Sequence, residues 1–101
     1  MTAPTEGHYF VYILASRKYG ALYLGVTGNL PGRVYLHRES ILKGHTSRYR
    51  IFNLVYFEQH DTPYNAIQRE KQMKKWRRAW KIELIESFNP DWRDLFAEIA
   101  S

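Results

Sequence analysis

YFVYILASRKYGALYLGV, residues 9–26, sets two runs of β-branched, aromatic and aliphatic side chains on either side of a short polar turn. Residues 9–15 read as a first strand, residues 17–20 as the turn and residues 21–26 as a second strand, so the pair is expected to form an antiparallel hairpin. Side chains alternate along a strand, which groups Tyr12 with Phe10 and Leu14, and Tyr23 with Ala21 and Gly25. Two phenols therefore stand on rigid backbone.

Beyond the hairpin, Asn29 caps a helix that tolerates Pro31 in its first turn. Leu30, Val34, His37 and Ile41 fall on one stripe of that helix, with Arg33 at its edge. Residues 42–50 are polar and irregular, and residues 51–58 read as a third strand. Pro63 introduces a long helix carrying a basic block, followed by a further helical segment over residues 81–88. Asn89, Pro90 and Asp91 suggest a break and a new cap before a short amphipathic helix bearing Trp92, Leu95, Phe96 and Ile99. The expected class is α/β (α+β), a three-stranded, mainly antiparallel sheet flanked by helices. Residues 1–8 are expected to be a disordered lead-in and residues 9–101 one domain.

A chain of 101 residues, 45% of them hydrophobic, can bury one core and leaves little for a second domain. No run approaches the ~18 apolar residues of a membrane span, so a soluble protein is expected. The sequence has no cysteine, which excludes disulfides, thiolate catalysis and cysteine-based zinc sites and suits a cytoplasmic location. Residues 1–8 lack the basic start and apolar run of a signal peptide.

The net charge of +5 points to an anionic partner. Residues 69–81 hold seven basic side chains and one acid, an excess of six, so the rest of the chain carries a net −1. Such a block suits nucleic-acid phosphates, where bound counterions are released; a solvated helix face is the plain alternative. Trp76 and Trp80, four apart within it, are expected to anchor the helix to the core.

Taken in order, Phe10-Val11-Tyr12, Tyr23-Leu24-Gly25, Arg33 and His37 one helical turn apart, Glu70 and Asn89 resemble the GIY-YIG nuclease domain over nearly the whole chain. Residues 69–76 (REKQMKKW) and 89–95 (NPDWRDL) resemble its small stand-alone branch. Each tyrosine or glycine alone is weak evidence, while the ordered set is strong. Two departures stand out. Phe10 and Val11 replace the name-giving Gly-Ile, and Val26 and Thr27 stand where some excision-repair relatives carry a lysine.

The resemblance implies a metal-dependent endonuclease hydrolysing DNA phosphodiesters, selective for structure or single strands, in repair or recombination, with RNA left open. Glu70 is then the ligand of a single Mg²⁺, with Mn²⁺ as a substitute; from position alone, an ion pair with Arg33 or a lysine is equally acceptable. Arg33 supplies a permanent cation matched to phosphate. Tyr12 is taken as the base and Tyr23 as its orienting partner, although a phenol near pKa ~10 needs help at neutral pH. His37 relays a proton or donates to a phosphate oxygen. Gly25 is expected to let a phosphate backbone approach, and Lys74, Lys75, Arg77, Arg78 and Asn89 to bind substrate, with a helix cap as the other reading of Asn89. His8, His45 and His60 lack metal-ligand spacing and receive no role. Nothing in the sequence indicates a homo-oligomer or a sequence-reading module. The rivals are a non-catalytic nucleic-acid-binding domain using residues 69–81, and an adaptor for an acidic protein.

Overall fold

The computed structural model describes residues 8–39 and 49–100. Ile41, His45 and residues 1–7 lie outside that range. The elements are β1 (Tyr9–Ala15), β2 (Leu22–Thr27), α1 (Leu30–Arg38), β3 (Asn53–His60), α2 (Pro63–Lys74), α3 (Arg78–Phe88) and α4 (Phe96–Ile99). The strands form one sheet in the order β2-β1-β3, with both pairings antiparallel. Among the described residues no helix is long and apolar enough to cross a membrane.

The hairpin register sets Tyr12 opposite Gly25 and Leu14 opposite Tyr23. One sheet face buries Tyr12, Leu14, Leu30, Val34, Ile51, Leu54 and Leu95. The other buries Val11, Ile13, Ala15, Leu24, Ala66, Met73, Ile85 and Trp92. Helix α1 thus covers the first face, while α2 and α3 cover the second.

The third strand begins two residues later than expected and runs two further. Its ends are set by pairing with β1, from Asn53 opposite Ala15 to His60 opposite Tyr9, with an irregularity between Ile13 and Leu14. Apolar Ile51 packs beneath the sheet instead of extending it.

The expected long helix through the basic block is broken. Helix α2 ends at Lys74 and α3 starts at Arg78, dividing residues 69–81 between them. The break folds α3 back so that Met73 and Ile85 share one core. Both α1 and α2 begin as their sequences imply: Asn29 accepts from the Gly32 N–H at 3.1 Å, and Thr62 from the Asn65 N–H at 3.1 Å.

The C-terminal helix is also shorter than expected, covering only Phe96–Ile99. Trp92 lies buried on the second face and Leu95 on the first, so this segment wraps the end of the sheet. The Leu95 N–H fixes it there, donating to the Leu54 carbonyl at 2.8 Å.

Candidate active site

Tyr12 is the centre of the polar cluster on the first face. Its hydroxyl lies 3.2 Å from His37 Nε2. The ring centroids of Tyr12 and Tyr23 are 6.2 Å apart, and those of Tyr23 and His37 5.1 Å. Adjacent strands supply the two phenols, and the third turn of α1 lowers the imidazole onto them. Arg33, one turn earlier, is exposed, yet its charge acts on both Tyr12 and His37.

Glu70 approaches from the other side of the sheet. Helix α2 packs against β1 and the edge strand β2, and the Glu70 carboxylate acts electrostatically on the Tyr12 hydroxyl. The cluster therefore straddles β2. Glu70 is 13% exposed and accepts from Lys74 Nζ at 2.7 Å through Oε2. This i,i+4 pair makes the carboxylate tolerable so near the core, and its lysine end remains in solvent.

Burial pushes the Tyr12 phenol well above its ordinary value. Tyr23 and Glu70 push the same way and Arg33 opposes them. Tyr12 therefore keeps its proton at neutral pH, and the help a phenol needs to act as a base is not supplied by Arg33 alone. Burial, reinforced by Arg33, lowers His37 below its ordinary 6.5 and favours neutral imidazole. A protonated phenol thus stands beside a neutral imidazole, and the tautomer of His37 sets which of the two donates.

Two of the expected site residues have contacts within the fold. A Cβ built on Gly25 would lie 2.6 Å from the Tyr12 hydroxyl oxygen and 2.7 Å from Cζ. The missing side chain makes room for the Tyr12 ring, which fills the space expected to admit a phosphate. Asn89 is 3% exposed; its amide donates to the Val55 carbonyl at 3.1 Å and to the Arg93 carbonyl at 2.8 Å, while its oxygen accepts from the Arg93 N–H at 3.1 Å. Both amide hydrogens are engaged by backbone, so Asn89 latches the wrap after α3.

The basic block divides in the same manner. Arg78 donates to the Tyr19 and Gly20 carbonyls, each at 2.7 Å, and so holds the hairpin turn. Arg69 is bound by Glu58 at 2.8 and 3.2 Å. Lys71, Lys75 and Arg77 are exposed. Trp76 packs on the core as expected, but Trp80 is 46% exposed beneath the Arg77 guanidinium. Ile67 is likewise 40% exposed.

Sequence reasoning missed the network around Glu58. Its carboxylate accepts from Tyr56 and Arg69 and is bonded to His60 at 2.7 Å. The signal was alternation, since Tyr56, Glu58 and His60 recur every second residue along β3.

Comparison with known proteins gives a consistent set of relatives. The GIY-YIG catalytic domain model matches residues 8–83. A UPF0213 protein of Pediococcus pentosaceus is 31% identical over 86 residues, 85% of this chain and 90% of its own length. A UPF0213 protein of Staphylococcus aureus is 33% identical over 78 residues, covering 77% of this chain and 94% of the relative. The solution NMR structure of a UPF0213 protein from Bacillus halodurans shares the fold, with a TM-score of 0.54 at 22% identity over 92% of this chain and 98% of that one.

Proposed function

The chain belongs to the GIY-YIG catalytic domain family, and from that premise we propose that it is a metal-dependent endonuclease hydrolysing DNA phosphodiesters in repair or recombination. The observation that carries this reading is that four groups act on the one Tyr12 hydroxyl. His37 lies 3.2 Å from the Tyr12 oxygen, and Tyr23, Arg33 and Glu70 all act on it.

The donor set fits one hard divalent ion. Glu70 is a mostly buried carboxylate whose Oε2 is held by Lys74, leaving Oε1 for a cation that otherwise keeps water and phosphate ligands. Among the described residues no group of three or more His, Cys, Asp or Glu is gathered, which suits Mg²⁺ or Mn²⁺ better than a metal demanding an all-protein cage. When bound, such an ion supplies charge stabilisation at the scissile phosphate.

The chain's own residues do the rest. Arg33 takes up charge on the phosphate oxygens. Tyr23 and Tyr12 hold the attacking water by hydrogen bonding. As that water loses a proton to the Tyr12 oxygen, the phenolic proton passes to His37 Nε2, so Tyr12 transmits the proton and ends as it began. General-base assistance of this kind contributes roughly 10²–10⁴-fold in rate.

The test is cleavage of labelled single-stranded, flapped, forked and duplex DNA with Mg²⁺, Mn²⁺ or chelator. Glu70→Ala is expected to keep binding and lose metal-dependent cutting, and Arg33→Ala exposes contaminating nucleases. The Glu70–Lys74 ion pair favours one rival, a non-catalytic binding domain, because it gives the carboxylate a structural use. Cutting by Glu70→Ala at the wild-type rate, or no cutting of any substrate by the wild type, would leave that rival standing.

A further inference from the structure

Two open cavities flank Arg33. One, of about 430 Å³, lies along α1 between Asn29 and Tyr35. The other, of about 280 Å³, is bounded by Tyr9, Val26 and Gly28 at the end of the sheet, Pro63 and Ile67 on α2, and Arg33 on α1. This second cavity has a function to find. Its mostly apolar wall is open to solvent, and Ile67 is 40% exposed there.

Size and charge limit the occupant. Cavities for drug-sized ligands hold ~300–1,000 Å³, so this one suits a single ring system. Its walls are mostly aromatic and aliphatic, with the Arg33 guanidinium and the Thr27 hydroxyl as polar groups, which calls for a flat, largely apolar group attached to an anion. A nucleobase tethered to its phosphate has that form, and the net charge of +5 favours it further. In a duplex each base is stacked and paired, and removing one from the stack is costly; in a single strand the cost is small.

We propose that this cavity receives an unpaired nucleobase from the strand whose phosphate rests on Arg33. The inference rests on the nucleic-acid reading above and deepens it, because phosphate contacts alone carry no preference between strand forms. The cavity supplies that preference.

Gly28 provides the test. A Cβ there would meet Tyr9 Cε1 at 3.7 Å and Cδ1 at 3.8 Å, ordinary contact distances. Gly28→Leu therefore grows a side chain against the ring with no clash at its first atom. Binding is measured by fluorescence anisotropy in chelator with a single-stranded oligodeoxynucleotide, a fully abasic strand of equal length, and a duplex.

The wild type is expected to bind the base-bearing strand about tenfold more tightly than the abasic one, the effect of one well-stacked base. Gly28→Leu should shrink that difference and leave abasic and duplex affinities in place. Equal wild-type affinities for base-bearing and abasic strands would overturn the proposal, as would a difference that survives in Gly28→Leu. Should Gly28→Leu not fold, the wild-type comparison and Ile67→Ala, at an exposed position, decide the matter on the same terms. Absence of binding to every oligonucleotide would reject the nucleic-acid reading and this proposal together, whereas binding without base preference rejects the cavity alone.

Discussion

Gly25→Ala asks whether the second motif's glycine serves substrate or the fold. Its new methyl would sit 2.6 Å from the Tyr12 hydroxyl oxygen, 2.7 Å from Cζ and 3.0 Å from Cε1, about 1 Å inside the normal ~3.5–4.0 Å contact. The ring has little room to retreat. Tyr12 is 1% exposed, and the Tyr23 and His37 rings lie 6.2 and 6.1 Å from it, centroid to centroid. Relief must come from moving edge strand β2 or tilting the ring, and either disturbs the 3.2 Å contact with His37. Overpacking of this kind costs about 1–3 kcal/mol. At roughly 4–8 °C per kcal/mol for a domain of this size, the melting temperature should fall by about 4–24 °C. Thermal melts by circular dichroism check this, with urea midpoints as a second measure. In a Tyr12→Leu background, which lacks the clashing atoms, Gly25→Ala should cost at least ~1 kcal/mol less, the non-additivity expected of touching residues. If glycine instead keeps space for a phosphate, Gly25→Ala would weaken substrate binding and leave the melt unmoved. A melting temperature within about 2 °C of wild type would refute the steric argument.

Three further outcomes follow from the same contacts. Asn89→Ala strands the Val55 and Arg93 backbone groups in a buried setting, so urea denaturation should show a loss of about 1–3 kcal/mol, while cleavage per folded molecule stays at the wild-type level. Lys74→Gln removes the cation holding Glu70 Oε2, and a titration of cleavage rate against Mg²⁺ should reach half-maximum at lower metal concentration. Burial raises Glu58, but hydrogen bonds from Arg69, Tyr56 and His60 outweigh it and hold the carboxyl below its ordinary 4.5. Because the folded value is the lower one, this stabilisation is present above pH 4.5 and is lost as pH falls through the folded value. Melts from pH 7 to pH 2 should lose less stability below pH 4.5 in Glu58→Gln than in the wild type, measured from each protein's own value at pH 7.

Local signals carried the hairpin, the Asn29 cap and the stripe of Leu30, Val34 and His37, since each depends on residues within one or two turns. What failed depended on distant partners. The ends of β3 follow from where β1 offers pairing, and the break after Lys74 lets Met73 and Ile85 share one core, neither of which residues 51–60 or 69–81 express alone. Within the cluster, the spacing of Arg33 and His37 was legible because one helical turn fixes it. The cross-strand meeting of Gly25 with Tyr12 was not, as it needed the register. Asn89 shows the same limit: an asparagine at a break caps a helix or binds a ligand according to which carbonyls lie nearby, and those belong to Val55 and Arg93.

The Glu58 network and the Tyr12 cluster lie at different ends of one helix cross-section. Arg69 and Glu70 are consecutive on α2 and so diverge by about 100° around its axis. Arg69 reaches Glu58 on edge strand β3, while Glu70 acts on Tyr12 beside the opposite edge, β2. Binding of the guanidinium by both oxygens of Glu58 fixes how far α2 can roll, because a bidentate pair tolerates little rotation. Any roll that freed Arg69 would also swing Glu70 away from the phenols. The clamp that sequence reasoning overlooked and the carboxylate that it singled out are therefore carried by one helix, toward opposite edges of the sheet.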